Sequence, residues 1–192
     1  MKKQLQVIKS DGTSEEYLHT KVIGTINNAL AASGYPDMAM AEDLAEVVTY
    51  YLYKQNPRRI TAGEILSMIK AVLACTGHEA AAVALGEHAL ERRLNRARTE
   101  VLDVDVQNFA DVERLHRMQE SPARIPWSKG RIVRELTAER GVSLQVARAV
   151  ASIVEERVFN MGMTLVPSSL IRQLVLGEAA TMLRAERELH TV

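Results

Sequence analysis

Cysteine is almost missing from this chain. Cys75 is the single one, so no internal disulfide can form. It lies in the apolar run Ala71-Val72-Leu73-Ala74-Cys75, which reads as helix, and a buried structural thiol in a reducing compartment is expected. No histidine or cationic setting surrounds it to activate it as a nucleophile. An excess of charge is missing as well. The 24 lysines and arginines balance the 24 aspartates and glutamates, so no global field draws the chain to nucleic acid or to an anionic membrane. No apolar run approaches the roughly 18 residues that a membrane span needs. Met1-Lys2-Lys3-Gln4 passes straight into a strand pattern with no signal-peptide core, which makes the cytoplasm the expected compartment. Aromatic residues are only 4% of the chain, whereas Ala, Leu and Val are abundant, a balance that favours packed helices over a large sheet. His19, His78, His88, His116 and His190 show no metal-ligand spacing, even with Cys75, so no structural metal is expected. No paired acid and base, nucleophile or metal constellation is present, which argues against an enzyme.

What is present starts at the amino terminus. Leu5 and Val7 alternate with Gln4 and Gln6 and stop at Ser10-Asp11-Gly12-Thr13. Asp-Gly is a tight-turn signal, because glycine accepts positive φ and aspartate bonds its own backbone. Glu15-Glu16-Tyr17-Leu18 supplies the returning strand, and a helix opens near Lys21. A β-hairpin with Lys9 near its turn and Lys21 at the mouth of a helix is either a phosphate site or an edge hairpin with solvated lysines. Val22, Ile23, Ile26 and Leu30 then recur at helical spacing, with Thr20 as the expected N-cap and Ser33-Gly34 as the stop. A second helix is predicted over about Ala39–Tyr53, with Leu44, Val47, Val48 and Tyr51 on one face. Asn56-Pro57 breaks it. Thr61-Ala62-Gly63-Glu64 has the form of a capping box and opens a helix carrying Ile65, Met68, Ile69, Val72 and Leu73. Gly77 separates this from a long helix that ends near Arg98.

The order and spacing of these segments resemble the ATP-cone family, the regulatory nucleotide-binding module of ribonucleotide reductase large subunits and of their zinc-ribbon repressor. The resemblance covers residues 4–98. It rests on Val7-Ile8-Lys9-Ser10-Asp11-Gly12, Glu15, Lys21-Val22, Ile60-Thr61-Ala62-Gly63-Glu64-Ile65, and the run from Ala80-Ala81-Ala82-Val83-Ala84 to Arg92-Arg93. The resemblance implies ATP or dATP, alone or with Mg. Lys9 and Lys21 would meet the phosphates, Glu15 the sugar or a metal-bridged group, and Val7, Val22 and Ile65 the base. Ser10, Thr61, Arg92 and Arg93 complete the implied binding set. Departures weaken it. The family's arginine after Lys9 is Ser10, its polar glutamine or histidine is Leu66, and in the closing helix Leu85 and His88 stand at aromatic positions and Ala89 at an arginine. The zinc ribbon, the glycyl-radical motif and the reductase cysteines are absent.

Arg92, Arg93, Arg96 and Arg98 give the fourth helix a basic, solvated end. Residues 99–126 read as a linker, with an alternating run from Val101 to Val106, a short helix over Val112–Met118, and Ser121-Pro122 and Ile125-Pro126 as breaks. From Trp127 the earlier order returns. Ser128-Lys129-Gly130-Arg131-Ile132 follows the pattern of Thr20-Lys21-Val22, and Gly141 that of Gly34. Val146, Val150, Ile153 and Val158 form a helical stripe, and Val166-Pro167-Ser168-Ser169-Leu170-Ile171 matches Ile60 to Ile65. Internal duplication is the first explanation, and coincidence between two helical hairpins the other. No V-x-K-x-D-G hairpin precedes the copy, so one nucleotide per chain is expected. Trp127 reads as a packing anchor, with stacking on a base beside Lys129 as the alternative. Asp43, Glu46, Glu155 and Glu156 read as polar helix faces.

The expected fold is mainly α with a small N-terminal β-hairpin. An ATP-cone-like unit covers 1–98, a linker 99–126, and a degenerate cone-like helical unit 127–192. The expected function is a nucleotide-binding regulatory protein. It would act by nucleotide-dependent homo-oligomerisation or by docking on a partner such as ribonucleotide reductase. The alternatives are a helical interaction module that has lost its ligand, motivated by Ser10 and Leu66, and a nucleic-acid-binding regulator using Arg92, Arg93, Arg96 and the Arg124/Lys129/Arg131/Arg134 cluster.

Overall fold

Short strands and long helices alternate twice along the chain. The computed structural model describes residues 5–10, 12–55, 58–103 and 123–189. The first round is β1 (Gln6–Ile8), β2 (Ser14–Glu16), α1 (His19–Ala32), α2 (Met38–Gln55), β3 (Arg59–Thr61), α3 (Ala62–Cys75) and α4 (Glu79–Arg98). The second is β4 (Glu100–Leu102), β5 (Arg124–Pro126), α5 (Lys129–Ala138), α6 (Leu144–Asn160), β6 (Leu165–Pro167) and α7 (Ser168–Leu189). The chain divides into two compact units, Met1–Arg92 and Arg93–Val192. The fold is mainly helical with a small N-terminal hairpin, as the composition indicates.

In the first unit β1 is the central strand of three. It pairs antiparallel with β2, Val7 facing Glu15, and parallel with β3, Val7 facing Ile60. The hairpin closes as Lys9 N–H donates to the Thr13 carbonyl at 2.8 Å and Gly12 N–H to that of Lys9 at 3.0 Å. Gly12 takes φ 79°, the left-handed conformation glycine adopts without a Cβ clash. Asp11 lies outside the described residues. Leu5, Val7, Val22, Ile26, Leu30, Leu44, Val48, Leu52, Ile69 and Leu73 build the core.

Local details differ from the sequence reading where packing decides. Helix α1 begins at His19, with Leu18 as its N-cap and no side-chain cap bond, so Thr20 lies inside the helix rather than before it. On α2 the buried stripe is Ala41, Leu44, Ala45, Val48 and Leu52. Val47 and Tyr51, expected on that face, are exposed. Each lies one position before a buried residue, Val48 or Leu52, and one position turns a helix by about 100°, so both fall beside the stripe. Cys75 is exposed, not buried. Two residues after Leu73, a helix has rotated by roughly 200°, so Leu73 inside places Cys75 outside.

The second unit has the same topology. β4 is central between antiparallel β5 and parallel β6, and Trp127, Ile132, Leu136, Ala147, Val150, Val154, Val158 and Val166 form its core. Residues 100–102 and 124–126, read as linker, are therefore strands of this sheet. The helix expected over Val112–Met118 lies outside the described residues. Glu155, expected on a polar face, is fully buried. Its carboxylate accepts from Arg96 Nε at 2.8 Å and Nη2 at 2.9 Å and from Trp127 Nε1 at 3.1 Å. Arg96 is thus an ion-pair partner rather than part of a solvated basic end. Trp127, 7% exposed, is the packing anchor the sequence indicated.

Candidate functional site

The turn of β1–β2 and the first turn of α1 bring three charged side chains together. Lys9 leaves the sheet one residue after β1. Glu15 is the middle residue of β2, and Lys21 is the third residue of α1. Lys9 Nζ lies 3.0 Å from Glu15 Oε2, and Lys21 Nζ lies 2.9 and 3.0 Å from the two Glu15 oxygens. The carboxylate is only 9% exposed, while the lysines are 34% and 49% exposed. Burial alone pushes the Glu15 carboxyl up. The hydrogen bonds and charges of Lys21 and Lys9 outweigh it and hold the group below the usual carboxylate range. Two cations on one anion leave net positive charge, with both ammoniums reaching solvent. That is an arrangement suited to phosphate.

The parallel pairing of β1 with β3 sets Ile8 opposite Thr61. The hairpin turn therefore opens beside the amino terminus of α3. Thr61 caps that helix as its hydroxyl accepts from Glu64 N–H at 3.2 Å, and its own N–H donates to Glu64 Oε2 at 2.8 Å. The backbone N–H and hydroxyl of Thr61 hold the exposed Glu64 carboxyl below its ordinary range. A groove of about 700 Å³ runs from here along α3, lined by Ile60, Thr61, Glu64, Ser67 and Met68.

The remaining residues implied by the resemblance are dispersed. Val7 and Val22 are core residues, 7% and 4% exposed, which leaves half-buried Ile65 as the most accessible of the three apolar candidates for a base. Ser10 is exposed and supplies no cation. Arg92, half-buried, and Arg93, exposed, ride on α4 rather than on the hairpin. A feature missed in the sequence is the pair Tyr17 and Thr49 behind the site. Their hydroxyls are 2.7 Å apart, and His19 Nδ1 lies 2.8 Å from the same Thr49 oxygen. Burial raises the Tyr17 phenol, only partly offset by its bond to Thr49. The period of α2 gives the signal, since Thr49 falls four residues after buried Ala45, on the same face of the helix.

No group of metal-ligating side chains occurs among the described residues. No helix among them is long and apolar enough to cross a membrane. No curated protein matches the chain. The ATP cone domain family matches residues 5–98, just under half of the chain and all of the first round of strands and helices. That segment is thus similar to the ATP cone domain, a nucleotide-binding regulatory domain rather than a catalytic one.

Proposed function

We propose that this protein senses ATP or dATP at the first hairpin and converts occupancy into a change of association, either with further copies of itself or with a regulated partner. The observation that carries the reading is the convergence of Lys9 and Lys21, from different elements, on the Glu15 carboxylate. It supports phosphate binding because the ammoniums are pre-positioned and a polyphosphate would meet both without reorganising the backbone. The base would lie towards Ile65, the half-buried apolar candidate in the first turn of α3. For nucleotide identity to control association, the ligand must bind one assembly state better than the other. The charge lost at Ser10 lowers affinity without removing the two lysines.

Calorimetry of the full chain with ATP and dATP tests this. Each charge-assisted contact contributes about 1.5–3 kcal/mol, so Lys9→Ala is expected to weaken the hairpin-dependent binding by roughly 10- to 100-fold. Sedimentation with and without dATP should show a shift in mass or, with a partner present, in complex formation. No saturable heat at millimolar nucleotide overturns the reading.

A further inference from the structure

The second unit contains a groove of about 740 Å³ at the place that the candidate site occupies in the first. Several local contacts fix this equivalence. Tyr17 N–H donates to the Leu5 carbonyl at 2.9 Å, and Trp127 N–H donates to that of Thr99 at 3.0 Å. Lys21 N–H donates to Leu18 and Arg131 N–H to Ser128, both at 3.1 Å. Tyr17 bonds Thr49 of α2 as Trp127 bonds Glu155 of α6. Val7 faces Glu15 and Val101 faces Ile125. Arg131 therefore stands where Lys21 stands, Ile125 where Glu15 stands, and Asp103 where Lys9 stands.

The exchange of Glu15 for Ile125 changes the electrostatics. In the first unit a carboxylate neutralises part of the cation pair. In the second, Arg131 has no acid at that position. Arg134, Arg140 and Arg172 line the same groove. Among the described residues, none of these four guanidiniums makes a side-chain hydrogen bond or ion pair. Asp103, Glu135 and Glu139 also line it, so the arginines outnumber the acids by one. The wall beneath is apolar, with Val101, Ile125, Ile132 and Ile171. An arginine rim above an apolar wall, in a volume within the usual range for small-molecule sites, fits a ligand with a polyanionic end and a flat apolar body. Guanidinium forks match phosphate oxygens in pairs.

We propose that this groove is a second ligand site, for a nucleoside polyphosphate, with Arg131 and Arg172 as its principal phosphate contacts. It is independent of the hairpin lysines, and it goes beyond the one-site reading. The sole tryptophan, Trp127, lines the groove and gives a local optical signal.

The experiment titrates the full chain with ATP while recording heat and Trp127 fluorescence. Wild type is expected to bind two ATP per chain. Lys9→Ala combined with Lys21→Ala should retain one, with the fluorescence change intact. Arg131→Ala combined with Arg172→Ala should lose the fluorescence change and weaken that site roughly tenfold or more. Both arginines sit outside the buried set, and circular dichroism checks that the fold is kept. No ATP-dependent heat or fluorescence change in the lysine double variant overturns the second site, whatever the first site does. Binding retained only in the lysine variant supports the second site and overturns the hairpin reading instead. Tripolyphosphate binding as tightly as ATP overturns the role given to the apolar wall, and weaker binding supports it.

Discussion

Glu15 shows how one residue sets the character of a site. Its carboxyl is held below the usual carboxylate range, so its contribution to stability is present above the ordinary value of 4.5 and is lost as pH falls through the lower folded value. The partner lysines are 34% and 49% exposed, and solvent screens the pair, which limits the two contacts together to about 1 kcal/mol. Urea unfolding followed by circular dichroism should show wild type losing about that much more stability than Glu15→Gln between neutral pH and about pH 3. Equal acid sensitivity of the two proteins would contradict the clamp. The sequence made Glu15 conspicuous through its spacing from Lys9 and Lys21. It did not show that the carboxylate holds the lysines, because β2 returns Glu15 beside Lys9 only once the hairpin register is set. Cys75 is a different kind of misreading, since composition reports its apolar neighbours but only the helical phase, set by Leu73, reports its direction.

At the scale of elements, what could be read was local. The capping box of α3 was legible because Thr61 and Glu64 are three residues apart and need nothing else. β4 was not, since three residues acquire strand character only by pairing with Arg124–Pro126 and Leu165–Pro167, far along the chain. Glu155 lay within reach of pattern reading, because it falls on the stripe of Val150, Ala151, Val154 and Val158. Its role depends on Arg96 at the end of α4 and on Trp127 after β5. This triad ties the end of α4 and the residue after β5 to α6, and its two charged members are not equivalent. Arg96 is 41% exposed and Glu155 0%. Arg96→Ala takes a two-bonded cation from a buried carboxylate, expected to cost about 3 kcal/mol or more. Glu155→Thr, the residue type found at Thr49 in the first unit, returns Arg96 to solvent and keeps an oxygen for Trp127, so a smaller loss is expected. The Arg96→Ala Glu155→Thr double variant should be more stable than Arg96→Ala alone. Urea unfolding monitored by Trp127 fluorescence measures all three, and a double variant no better than Arg96→Ala refutes the buried-charge account.

For the whole molecule, one topology has been given two chemistries. The first unit keeps the family pattern, with a tight hairpin, lysines and a carboxylate between them. The second keeps the strand order and the tyrosine-like anchor, but places isoleucine at the carboxylate and arginines around the rim. The two cores share no residue among those described. Leu73 and Leu136 are each fully buried, in the first and second core respectively. Truncating either to alanine is expected to cost about 2–5 kcal/mol in its own core. Trp127 belongs to the second core, whereas circular dichroism reads helices throughout. Leu136→Ala should therefore lower the fluorescence midpoint in urea. Leu73→Ala should lower the dichroism signal at urea concentrations where the fluorescence transition has not begun, giving two non-coincident transitions. ATP, added at 100 times its dissociation constant for the hairpin site, should restore about 2.7 kcal/mol to the Leu73→Ala unit. A fluorescence midpoint that moves as far with Leu73→Ala as with Leu136→Ala would show a single cooperative core and refute the division.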